Sequence, residues 1–181
     1  MIIARQKKQE NIIEYVLYMW QVEDLIRANN LDMSSIETNI IKAYNQPEEK
    51  MAEIKEWWSN LVEMMSLENK QTKGHLQVNI NTVSDINQLH QKLMKQPNEV
   101  AYQHQFNSIA PFLKEFDAKS GNTLSNDIEI CLTAIYSSFL LKLKGQTIST
   151  GTQQAIESIS KFLNIITLKY HKDQAGKLDL D

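Results

Sequence analysis

The sequence predicts an all-α protein, a single-domain bundle of about six or seven antiparallel helices. Three observations predict it. Apolar residues recur in steps of three and four, the helical period, along most of the chain. None of the five glycines interrupts a long apolar-periodic segment. The one stretch that alternates like a strand, Leu76 to Ile80, has no second strand to pair with, and Leu76, Ile80, Val83 and Ile86 also fit one helix face.

The elements follow from caps and periodicity. The first helix spans about Ala4 to Asn29, ending at Asn29 and Asn30. A short one covers about Ser34 to Tyr44, with Asp32 or Ser34 as cap. The third runs from Pro47, a first-turn proline followed by Glu48 and Glu49, to about Lys70, with Met51, Ile54, Trp58, Leu61 and Met65 as its stripe. The fourth carries Val83, Ile86, Leu89, His90 and Leu93. The fifth spans about Pro97 to Ala118, with Pro111 expected to kink it. The sixth, about Ser125 to Lys144 with Ser125 or Asn126 as cap, is apolar nearly all round from Ile130 to Leu143, which predicts burial. The seventh spans about Ser149 to Lys172. The all-helical domain is thus residues 1–172, and 173–181 form a polar C-terminal tail.

Composition bounds the function. The chain has 181 residues, 42% hydrophobic, with a formal net charge of -3. The apolar fraction is too high for disorder. The weakly acidic balance argues against a nucleic-acid partner. The single cysteine, Cys131, excludes an internal disulfide framework and reads as a small buried hydrophobe in the sixth helix. The start of the chain turns charged at Arg5 before an apolar run develops, unlike a signal peptide, and no apolar run reaches the roughly 20 residues that cross a bilayer. The expected location is cytoplasmic.

The most informative placement is on the first helix. Advancing about 100° per residue, Glu14, Lys7, Glu10 and Gln21 share a wet face. Glu23 falls on the opposite side among Ile12, Val16, Met19 and Ile26, with Arg27 one turn on. A carboxylate on an apolar face is costly unless paired or protonated. Two readings stand. Glu23, Arg27, Trp20 and His90 line a ligand pocket, or Glu23 forms a structural ion pair with Arg27 or with a base on another helix. Asp24 points about 100° away from Glu23, so the two are no acid–base pair.

Other constellations are missing. Glu-x-x-His and His-Glu-x-x-His do not occur, so no metal site is expected and no cofactor is implied. His90 and His104 read as core histidines, His75 and His171 as surface ones. Neither a serine-nucleophile elbow nor a glycine-rich phosphate loop exists. No catalytic residue can be named, and the balance leans against an enzyme. Trp57 and Trp58 diverge by about 100°; Trp58 continues the core stripe, whereas Trp57 aligns with Met64. That second apolar face either meets a partner, where Trp and Met are enriched, or is buried within the monomer.

The stretch Asn11-Ile-Ile-Glu-Tyr-Val-Leu-Tyr-Met-Trp-Gln-Val-Glu-Asp-Leu-Ile-Arg27 resembles the opening of a Bacteroidetes-type bacterial family of uncharacterised all-helical proteins, labelled a domain of unknown function. Gly74-His-Leu-Gln-Val78 and Asp173-Gln-Ala-Gly-Lys177 are similar to its middle and end, so the resemblance covers essentially the whole chain. It implies an all-α, single-domain bacterial protein and implies no activity and no site residues. The resulting expectation is a cytoplasmic, non-enzymatic helical binding or interaction protein, associating with itself or with another protein. The alternative is a ligand-binding or enzymatic bundle with its pocket around Glu23 and Arg27.

Overall fold

A computed structural model describes residues 2–178, the side chain of Ile2 excepted. Eight α-helices account for most of these residues, and no strand occurs among them. They are α1 (Ile2–Glu10), α2 (Ile12–Ala28), α3 (Met33–Asn39), α4 (Glu48–Leu67), α5 (Gln77–Leu93), α6 (Val100–Lys119), α7 (Asp127–Leu143) and α8 (Thr150–Gln174). A single 3-10 turn, Ile41–Tyr44, follows α3. The chain divides into two compact units, one ending at Thr82 and the other starting at Val83.

The first unit holds α1 to α4 and the start of α5. The extra helix arises at Asn11, inside the span for which the sequence predicts one helix. Asn11 is extended (φ -154°), and its side chain accepts hydrogen bonds from the backbone N–H groups of Ile13 and Glu14. An asparagine side chain that satisfies free helix donors starts a new helix more readily than it continues an old one. α2 then packs on α1 and α4. Its buried side chains include Ile12, Val16, Met19, Trp20 and Ile26, against Ile54, Trp58, Leu61 and Met65 of α4. Asp32 caps α3 through the N–H groups of Ser34 and Ser35. The second predicted helix is therefore shorter, because α3 stops at Asn39 and the 3-10 turn completes the segment. Leu76 to Ile80 is helical from Gln77 onward, as favoured over a strand.

The second unit packs α6, α7 and α8 on one another. Ile109 and Leu113 of α6, Ile128, Cys131 and Leu132 of α7, and Phe162 and Ile166 of α8 are buried. Pro97 does not open α6. It lies in a turn three residues ahead, and the helix starts at Val100. Pro111 sits inside α6, which continues to Lys119. Asn126 caps α7 and Ser149 caps α8. The helix that ends the chain reaches Gln174, two residues past the expected limit; the proposed tail partly lies outside the described residues.

One expectation about α7 fails. Its first half is buried through Ile128, Ile130, Cys131, Leu132 and Ala134, but Phe139, Leu141 and Leu143 are exposed, Leu143 by 69%. An apolar sequence permits burial without securing it, because contacts depend on which neighbours cover the helix.

Candidate functional site

In the first unit, α2 carries Glu23 into the interior, where the residue is 0% exposed. Three donors converge on its carboxylate. The backbone N–H of Leu76 donates to Oε1 at 2.9 Å, and the Asn79 amide donates to the same oxygen at 2.6 Å. His75 Nδ1 lies 2.5 Å from Oε2. The imidazole stacks on Trp20, with ring centres 4.2 Å apart and planes 13° from parallel. Burial, reinforced by the negative charge of Glu23, raises the Tyr15 phenol above its ordinary value.

Arg27 does not pair with Glu23. Its guanidinium donates to Asp24 at 2.7 Å, to the carbonyl of Lys70 at 3.1 Å and to the carbonyl of Gly74. Gly74 adopts a left-handed φ of 82°, a conformation costly for any residue with a Cβ. Glu23 and Arg27 therefore hold two points of one loop, residues 68–76, against α2. Glu68 closes the other end by accepting from the N–H of Gln77 at 2.6 Å. The expected i, i+4 ion pair is replaced by one buried carboxylate cluster and one carbonyl clamp. The reason is local: free carbonyls of a tight loop suit an arginine fork, and a carboxylate suits the donors at the start of α5.

The sequence predicts His75 to be a surface residue. It is half-buried, with 30% of its side chain accessible, and is Glu23's principal partner together with Asn79. His171 likewise is half-buried. Sequence periodicity gave no signal for His75, because it sits in the loop before α5. A carboxylate bonded to an imidazole fixes the orientation of the ring. Among the described residues no nucleophilic side chain bonds to its remaining nitrogen.

His90 belongs to the second unit. It is fully buried, as expected of a core histidine, and its Nδ1 lies 2.8 Å from the Tyr102 hydroxyl. Phe106 and Phe162 flank the ring, with centroids 4.5 Å and 5.7 Å away. Nε2 lies 3.5 Å from Asp127 Oδ2, within electrostatic reach but too poorly aligned for a hydrogen bond. Burial raises the thiol of Cys131 and the phenol of Tyr102, in each case with added repulsion from neighbouring acidic groups, Asp127 among them. Cys131 is thus an inert buried thiol. His104, expected in the core, is exposed, because α6 turns Tyr102 and Ile109 inward and His104 away from them. No group of three or more His, Cys, Asp or Glu that could hold a metal ion occurs among the described residues.

On α4, Trp58 is buried while Trp57 and Met64 are half-buried. The two indoles meet edge to face at 5.5 Å. The second apolar face of this helix is real but narrow, flanked by the exposed Glu53, Glu56 and Glu63. No helix of the described residues is long and apolar enough to cross a membrane.

Comparison with curated proteins and with solved structures gives no match. One family does match, over residues 1–177. The chain belongs to the family described as Domain of unknown function (DUF4924).

Proposed function

We propose that this chain is a non-enzymatic helical binding protein that associates with a second copy of itself or with another protein. One observation carries the reading: on the C-terminal half of α7, Phe139 and Leu143 are exposed one turn apart on the same face, with Tyr136 beside Phe139 at 6.2 Å, while Leu141 is exposed on the opposite side. Clustered exposed aromatic and aliphatic side chains are characteristic of protein contact surfaces. Trp57 and Met64 on α4 are a second, narrower candidate surface.

A ligand pocket at Glu23, Arg27 and Trp20 has less support. The donors and acceptors of Glu23 and Arg27 are spent on the loop and on α5. His90 belongs to a different compact unit. The same reading takes the protein as bacterial, on the family resemblance, and as cytoplasmic, where a lone free thiol such as Cys131 stays reduced.

The test is sedimentation velocity on the wild type and on two double variants, Phe139→Ser with Leu143→Ser and Trp57→Ser with Met64→Ser. The first is expected to move an associated wild type to monomer. An associated state that survives both double variants sinks the proposed contacts.

A further inference from the structure

We infer that the protein associates through unlike faces: the acidic Trp57 face of α4 in one copy packs on the basic Phe139 face of α7 in a second copy. This rests on the self-association proposed above and names the surface that covers each stripe. The two stripes match in length. Tyr136, Phe139 and Leu143 of α7 stand at i, i+3 and i+7, and Met64 of α4 likewise follows Trp57 by seven residues. Each stripe therefore runs for two helical turns, about 10 Å. Leu67, 74% exposed, extends the α4 stripe past Met64, and Asn60 lies between Trp57 and Met64 on the same side.

The charges around the two stripes are opposite. On α7, Lys142 and Lys144 are exposed and diverge to either side of Leu143. No acidic residue occurs between Glu129 and Glu157, so this end of the helix is purely basic. On α4, Glu56 and Glu63 immediately precede Trp57 and Met64, Glu53 lies one turn before Trp57, and all three are exposed. Lys50, two turns before Trp57, is the single lysine on that side, since Lys55 lies about 160° from Trp57 around the helix and pairs with Glu37 at 2.7 Å. Among the described residues none of Glu53, Glu56, Glu63, Lys142 and Lys144 forms an ion pair within the chain.

Charge therefore decides which face meets which. Two α7 faces would set Lys142 and Lys144 against the same lysines, and two α4 faces would set glutamates against glutamates. Like charges brought together at an interface disfavour the wrong pairing, whereas α4 on α7 rings an apolar centre with opposite charges. Every copy carries one face of each kind. The pairing is then either reciprocated in a two-fold dimer or continued to a third copy.

A charge exchange in the full-length protein tests the pairing by sedimentation velocity. One variant combines Glu53→Lys, Glu56→Lys and Glu63→Lys; the other combines Lys142→Glu and Lys144→Glu. Each alone opposes like charges and is expected to associate at least about tenfold more weakly than the wild type. An equimolar mixture opposes unlike charges again and is expected to recover association to within about threefold of the wild type. Circular dichroism melts check that both variants fold. Undiminished association of either folded variant alone, or no recovery in the mixture, overturns the α4–α7 pairing and leaves self-association standing. A wild type that stays monomeric at every concentration overturns self-association and the pairing with it. Salt gives a readout that needs no variant: raising sodium chloride from about 50 mM to about 500 mM is expected to weaken wild-type association several-fold. Association that is unchanged or tighter at high salt overturns the pairing.

Discussion

The carboxylate of Glu23 and the imidazole of His75, 52 residues apart, meet at 2.5 Å beneath a stacked indole. This contact ties the loop of residues 68–76 to α2 and fixes where α5 begins. It also accounts for an acidic residue on the apolar face of α2: the loop and the first turn of α5 bring it donors that no neighbour on its own helix supplies.

Glu23→Ala is expected to destabilise the protein by about 4 kcal/mol. It strands the N–H of Leu76, the Asn79 amide and His75 Nδ1, and it leaves a void. Arg27→Ala is expected to cost about 2 kcal/mol, since its carbonyl partners lie closer to water. Urea unfolding of both variants checks the order. A larger loss for Arg27→Ala would reverse the assignment of Glu23 as the anchor.

Tyr102→Phe is expected to cost about 2 kcal/mol, because it removes the hydrogen-bond partner of His90 Nδ1 inside an aromatic wall where water cannot replace it. Urea unfolding of the variant measures the loss. A loss within about 0.5 kcal/mol, the range of an ordinary surface substitution, would show that the His90–Tyr102 bond contributes nothing particular to the fold.

Alkaline conditions are expected to unfold the protein progressively. Burial, the first cause in each case, raises the folded-state values of Cys131, Tyr18 and Tyr102 above their ordinary ones. The neutral forms are therefore favoured by the fold. The stabilisation is complete below pH 9.0, the ordinary thiol value, and is lost as pH rises through the raised folded values. Urea midpoints that fall between about pH 8 and about pH 11 would agree, and an unchanged midpoint would contradict it. Cys131 is expected to resist thiol reagents in the native protein and to react once urea unfolds it.

Much of the fold was legible in the sequence because helix periodicity and caps are local. Of the stripe read on the third helix, Ile54, Trp58, Leu61 and Met65 are buried and Met51 is half-buried, and Asp32, Asn126 and Ser149 cap the helices they precede. The break at Asn11 was missed because apolar periodicity runs through it, while a single side-chain cap decides it. The burial of Glu23 was legible from its helix angle. Its partners were not, because His75 and Asn79 reach it only through a loop whose path no periodicity records. The exposure of Phe139 and Leu143 was illegible for the opposite reason, since composition reports what a helix could bury and not what covers it.

Self-association through uncovered apolar helix faces is the central claim, and native mass spectrometry of the intact protein over a range of concentrations tests it most directly. The account expects a clean multiple of the 20.9 kDa subunit, with the fraction growing as concentration rises. A monomer at every concentration, with no co-purified protein partner, would contradict it.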